Sequence, residues 1–123
     1  ICCILPTAPF VTVDLLKKGF GLLNENEVDS VKPVVRFSYP IQRAVKMEND
    51  GTLQMFNPEH LKTRSQDLET AYHDAGQFYW MISKLALKGP AKMGFEVSEQ
   101  IVQDIDTEED WKLAEIKFKY HFG

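Results

Sequence analysis

Asp104 and Asp106, two positions apart in Gln103-Asp104-Ile105-Asp106-Thr107, are the sharpest chemical signal in the chain. On an extended strand, side chains at i and i+2 leave on the same side. At the carboxyl edge of an open α/β sheet, that side is where ligands bind. Two carboxylates there suit Mg²⁺, which takes one or two of them together with waters and substrate phosphates. The same stretch also reads as the start of a helix, with Asp106 or Thr107 as cap and Glu108, Glu109 and Asp110 in a first turn whose dipole favours negative charge. A second signal is Arg64-Ser65-Gln66-Asp67-Leu68. A fork-shaped cation beside amide and carboxylate groups is apt for holding a carboxylate or phosphate bidentately, and it is equally the make-up of a solvated, salt-bridged loop. Gln42-Arg43, after Tyr39-Pro40, is a weaker version of the same pattern.

Other chemistries find little support. His73 and Asp74 are adjacent, so their side chains rarely face each other, and no Ser or Cys nucleophile motif accompanies them. His60, His73 and His121 have no ligand spacing with Cys2 and Cys3, which argues against zinc. Lys117, Lys119 and His121 interleave with Phe118, Tyr120 and Phe122, either a stacking surface for bases or an amphipathic chain end. Neither GxxxxGK[ST] nor GxGxxG occurs, so nothing visible cradles a triphosphate.

The elements that must position these residues can be read from the hydrophobic pattern. Ile1 to Leu5 is a continuous apolar run closed by Pro6-Thr7-Ala8-Pro9, the pattern of a strand buried on both faces with neighbours on either side. Thr12 caps a following helix with Asp14 in its first turn and Leu15, Leu16, Phe20, Leu22 and Leu23 on a broad apolar face; Asn24 to Asn26 end it. Ser30 to Phe37 is a second strand, placed at an edge or early by Pro33. Strand, helix, strand is a βαβ unit. Asp50-Gly51 joins Ala44–Met47 and Thr52–Phe56 into a hairpin. Residues 57–74 are polar and without period, an excursion that points to function or a partner surface. Gly76 to Ile82 is an aromatic-rich core strand, followed by a short helix near Ser83 to Leu87. Met93 to Val97 and Ile101 to Ile105 are expected as further strands. In the last helix Trp111, Ala114 and Phe118 share a face, although Ile116 to Phe122 alternates strictly enough to be strand.

Composition bounds the whole. With 123 residues, 44% hydrophobic and 26% charged, the chain is expected to make a single domain, 1–123, with a packed core. A net charge of -4 gives no basic field for nucleic acid or an anionic membrane. The adjacent cysteines Cys2 and Cys3 cannot pair ordinarily with each other and fit a reducing cytoplasm. The apolar opening is broken by Pro6 and Pro9 and lacks a basic leader, so neither a spanning helix nor a secretory signal is expected. The chain opens at Ile1, already inside a core strand, and the expectation is that the domain begins earlier.

Taken in order, Leu5-Pro6-Thr7-Ala8-Pro9-Phe10, Tyr39-Pro40-Ile41-Gln42-Arg43-Ala44, Arg64-Ser65-Gln66-Asp67-Leu68, His73-Asp74-Ala75-Gly76-Gln77-Phe78-Tyr79-Trp80 and Gln103-Asp104-Ile105-Asp106-Thr107 resemble the pseudaminic acid cytidylyltransferases, relatives of the CMP-N-acetylneuraminate synthetases. The resemblance implies an α/β, Rossmann-like nucleotidyltransferase sheet, here partial, with an inserted hairpin and dimerisation arm at about 44–74. It implies transfer of CMP from CTP to a nine-carbon acidic sugar, with Mg²⁺ held by Asp104 and Asp106, in a cytoplasmic homodimer. By the motif matches, substrate would lie near Gln42, Arg43, Arg64, Gln66, Asp67, Asp74, Gln77 and Tyr79. Leu5 stands where the sialic acid relatives carry a sugar-contacting Gln, which favours the pseudaminate side. The family's opening strand and CTP-phosphate loop have no counterpart here. The expectation is therefore a C-terminal half to two thirds of such an enzyme, inactive alone. The alternative is a non-catalytic sugar-binding or assembly module.

Overall fold

The computed structural model describes all residues, 1–123. The chain divides into two compact units, one of Ile1–Val35 with Asp74–Gly123, the other of Arg36–His73. Seven strands and two α-helices make it a mixed α/β protein: β1 (Cys2–Ile4), α1 (Val13–Glu25), β2 (Ser30–Arg36), β3 (Val45–Met47), β4 (Leu53–Met55), β5 (Tyr72–Asp74), β6 (Phe78–Met81), β7 (Lys92–Glu96) and α2 (Glu108–His121).

The main sheet runs β1-β6-β2-β5, and β7 pairs with β2. Both β1 and β2 are antiparallel to β6, so they are parallel to each other with β6 between them, and β7 joins β2 in parallel. The expected strand–helix–strand unit is thus present, with one strand inserted between its two strands. Thr12 caps α1 by accepting from the Leu15 N–H at 3.3 Å.

Register explains which residues the sheet buries. Val31 sits opposite Trp80 and Met93, and Pro33 opposite Phe95. With Val35, Phe78 and Val97 they form one apolar face, covered by Leu15, Leu16, Leu22 and Leu23 of α1. Phe78 and Val31 are wholly removed from water, each contributing roughly 1.5–3 kcal/mol by apolar transfer. The Trp80 indole N–H donates to the Leu16 carbonyl at 2.9 Å and fixes the helix on the sheet. On the opposite face the same strands present Lys32, Lys92, Glu96, Tyr79 and Cys3.

Three sequence expectations are corrected here. β1 is an edge strand with β6 as its one neighbour, and Cys3 and Ile4 are exposed, so the run is not buried on both faces. β2, expected at an edge or with its proline early because of Pro33, is central, and Pro33 stands in its middle. Pro33 accepts the Ala75 N–H through its carbonyl at 3.1 Å, so its missing N–H points to the side where β5 has ended and β6 has not begun. Gly76, at φ 67°, makes that break. Ile101 to Ile105 is not a strand: a 3₁₀ turn covers Glu99–Ile101, and side chains satisfy the backbone that follows. Lys117 Nζ donates to the carbonyls of Val102 at 2.7 Å and Glu99 at 3.1 Å, and Gln77 Nε2 to that of Ile101 at 3.3 Å. With those carbonyls occupied, no ladder forms.

The hairpin is as expected: β3 and β4 pair antiparallel around Gly51, whose φ of 88° suits the turn. The remainder of Arg36–His73 includes three 3₁₀ turns, Ile41–Arg43, Pro58–His60 and Ser65–Asp67. Residues 116–121 are helical, and Phe118 stacks on Phe122 at 5.5 Å. No helix is long and apolar enough to cross a membrane.

Candidate functional site

The break between β5 and β6 brings three polar side chains together. Asp74 ends β5, and its Oδ1 accepts the Gly76 N–H at 2.8 Å. Its Oδ2 accepts from the Tyr79 hydroxyl at 2.8 Å and from Lys32 Nζ at 3.2 Å. Partial burial pushes the Asp74 carboxyl up, but the bonds from Gly76, Tyr79 and Lys32 outweigh it and hold the group below the usual carboxylate range. The Tyr79 phenol is pushed up to about 12, first by burial, then by the Asp74 bond and charge, with lesser contributions from Cys3 and Asp104. The Lys32 ammonium lies 5.9 Å from the Tyr79 ring centroid.

Asp104 adjoins this group. A methyl on Gly76 would stand 3.6 Å from Asp104 Oδ2, so the carboxylate passes over the glycine. Its Oδ1 accepts from the Thr7 hydroxyl at 2.6 Å, and the Ile105 N–H donates to the Thr7 carbonyl at 3.2 Å. Thr7 of the Pro-Thr loop and Asp104 are therefore locked face to face.

The two readings of the aspartate pair separate cleanly. Thr107 is the cap of α2, accepting from the Asp110 N–H, and Asp110 returns the bond in a capping box that takes the N–H groups of both Asp106 and Thr107. The capping role belongs to Thr107 and Asp110. That leaves the Asp106 carboxylate exposed and without a capping task. No three His, Cys, Asp or Glu side chains converge on a common point. Residues 102–105 are not a strand, so strand alternation does not carry over to Asp104 and Asp106; by donor type alone, two hard carboxylates, one held by a hydroxyl, suit Mg²⁺, whose remaining positions would go to water and phosphate oxygens.

Gln77 is 1% exposed, and its Oε1 is buried without a partner. Its amide ties β6 to the segment that leads into Asp104, so in this structure it faces the interior rather than a ligand. Within Arg36–His73, the remaining expected residues are arranged separately. Arg64 Nε donates to Asp67 Oδ2 at 2.9 Å across one 3₁₀ turn, with Gln66 exposed between them. This is the geometry of a salt-bridged loop. Gln42 Nε2 donates to the Glu69 carbonyl at 3.0 Å while its Oε1 is buried and unpaired. Arg43 closes the 3₁₀ turn Ile41–Arg43. A cleft of about 210 Å³ in this unit is walled by Tyr39, Pro40, Ser65, Leu68 and Thr70 among others. His73 packs its ring edgewise on Phe37 at 4.9 Å.

Sequence reasoning missed Lys32 and did not single out Thr7 as a partner of Asp104. The signal for Lys32 was a cation interrupting an apolar strand, alternating with Val31 and Pro33.

The fold and the paired carboxylates are those of a mixed α/β protein whose sequence relatives are cytidylyltransferases of acidic sugars. The chain is homologous to the pseudaminic acid cytidylyltransferases: it is 38% identical over 124 residues to that of Campylobacter jejuni subsp. jejuni serotype O:2, and 37% to that of serotype O:23/36. Both alignments take in 97% of this chain and 53% of the relative, so the chain spans about half the length of the curated relatives it matches. N-acylneuraminate cytidylyltransferase A of Danio rerio is 29% identical over 131 residues, covering 100% of this chain and 30% of that protein. No protein-family model matches the chain.

Proposed function

We propose that this chain supplies the sugar- and metal-binding part of an enzyme that transfers CMP from CTP to the anomeric hydroxyl of a nine-carbon acidic sugar, pseudaminic acid foremost. The observation that carries the reading is the 38% identity to a pseudaminic acid cytidylyltransferase across 97% of the chain. The structure supports it by gathering Thr7, Asp74, Gly76, Tyr79 and Asp104, drawn from three of the five resembling motifs, around one break in the sheet. The parallel arrangement of β1, β2 and β7, with α1 crossing between the first two, supports reading the sheet as part of a Rossmann-like nucleotidyltransferase sheet.

In this reading Asp104 and Asp106 hold Mg²⁺, with Thr7 fixing the Asp104 rotamer. An ion held by these two residues would supply neutralisation of phosphate charge. Tyr79 and Asp74 bind the sugar, and the excursion pairs the chain with a second copy. Positioning and charge neutralisation at a triphosphate provide most of such a rate. The sequence holds no loop that cradles one, so this stretch by itself is expected to turn over little.

The test is Asp104→Asn together with Asp106→Asn in the full-length gene product, assayed by CTP-dependent pyrophosphate release with pseudaminic and N-acetylneuraminic acids. Thr107 and Asp110 keep the cap, so stability should hold while release falls sharply with Mg²⁺ limiting. Release at the unsubstituted level would remove the aspartates from the chemistry. Absence of release with either sugar in the unsubstituted protein would overturn the reading itself.

A further inference from the structure

We propose that the cleft framed by Lys32, Lys92, Tyr79 and Asp74 receives the carboxylate of the acidic sugar, and that Lys32 selects the acid over a neutral counterpart. The inference rests on the reading of this chain as a sugar-binding part of a cytidylyltransferase.

The cleft, about 170 Å³, opens on the polar face of the sheet and is also bordered by Ser30 and Leu87. Its walls carry two ammonium groups and one carboxylate, in a chain whose net charge is -4. An anion is attracted here although the molecule as a whole repels it. The one wall carboxylate is spoken for. Asp74 has Oδ1 on the Gly76 N–H and Oδ2 on both Tyr79 and Lys32, so it orients its neighbours rather than offering a bare charge.

Lys32 has three N–H donors and spends one on Asp74, leaving two to meet an incoming carboxylate. Lys92, exposed and with no carboxylate paired to it, stands diagonally across from Lys32, because Ser30 is opposite Lys92 and Lys32 opposite Gly94. The Tyr79 hydroxyl donates to Asp74, so its lone pairs remain to accept from a sugar hydroxyl or N-acyl N–H.

Location gives this pairing its use. In a 2-keto sugar acid the carboxylate is bonded to the anomeric carbon, so fixing the one fixes the hydroxyl that must attack. Tyr79 lies within the field of Asp104, and Gly76 adjoins both Asp74 and Asp104. A sugar anchored on Lys32 thus lies on the side of the sheet break that Asp104 borders.

The experiment measures binding of pseudaminic acid, N-acetylneuraminic acid and the methyl ester of the latter to this chain by saturation-transfer NMR and calorimetry. The acids should bind at least about tenfold tighter than the ester, the worth of a charge-assisted contact. Lys32→Met should abolish the preference and Lys32→Arg should retain it. Lys92→Met, at an exposed site where folding is not at stake, should reduce it. Circular dichroism reports whether each variant is folded. Equal binding of acid and ester, no saturable binding of either acid, or a preference that survives both lysine-to-methionine changes would overturn the proposal. Asp104→Asn with Asp106→Asn should leave the acid-to-ester ratio intact. A ratio that holds while the full-length protein releases no pyrophosphate upholds the cleft and refutes the enzyme reading instead.

Discussion

Two glycines in one helix should respond in opposite ways to the same added methyl. In α1, replacing Gly by Ala removes backbone freedom from the unfolded chain and favours the helix by about 1 kcal/mol at either Gly19 or Gly21. At Gly21 the new methyl meets nothing within 4 Å, so Gly21→Ala should stabilise by roughly 0.5–1 kcal/mol. At Gly19 it would stand 2.8 Å from Trp80 Cδ1 and 3.1 Å from Phe78 Cε2. Neither ring can retreat. The Trp80 indole is held by its 2.9 Å bond to Leu16 and packs on Phe20 at 5.0 Å, and Phe78 is fully buried. Overpacking of this kind costs about 1–3 kcal/mol, which outweighs or cancels the propensity gain. The net effect of Gly19→Ala is a loss of roughly 0–2 kcal/mol, and the two variants should differ by about 1–3 kcal/mol. Urea unfolding followed by circular dichroism reads this directly. With a slope of about 2 kcal/mol/M, the midpoints separate by roughly 0.5–1.5 M. Midpoints that move together in the same direction would show that α1 does not lie on β6 as described.

Two further outcomes are expected. In acid, Asp74 contributes stability that is complete above the ordinary carboxylate range and lost as pH falls through its lowered value. In alkali, Tyr79 contributes stability that is complete below its ordinary value of 10.0 and lost as pH rises toward about 12. Asp74→Asn should flatten the acid limb and Tyr79→Phe the alkaline one in unfolding free energy against pH, and unchanged limbs would refute the network. A homodimer through the hairpin and arm, about 44–74, is expected, and light scattering that finds a strict monomer at micromolar concentrations and above would refute it.

Where one local interaction decides an element, the sequence was legible. Thr12 and Thr107 begin helices because their hydroxyls meet free N–H groups, and Asp50-Gly51 turns the hairpin because glycine adopts its φ. Legibility failed where a distant group intervened. Pro33 argues for an edge only if every N–H of a central strand needs a partner, and Gly76, far along the chain, provides a gap where none is needed. Ile101 to Ile105 was expected as a strand, yet Gln77 takes the carbonyl of Ile101 and Lys117 from the last helix that of Val102. Asp104 and Asp106 were visible as a pair, but that the cap of α2 falls to Thr107 rather than Asp106 depended on Asp110. Lys32 gains meaning only beside Asp74 and Tyr79, 42 and 47 positions later by their numbering.

The bond from the Ala75 N–H to the Pro33 carbonyl means that the chain departs for its excursion and comes back at neighbouring points of the same sheet. What lies between is, in evolutionary terms, a slot. Closing a longer or shorter loop across fixed ends changes the entropy only logarithmically, by about 0.6 kcal/mol for each doubling. Residues 36–73 can therefore be lengthened or trimmed at small cost, with the strands and helix α1 left as they are.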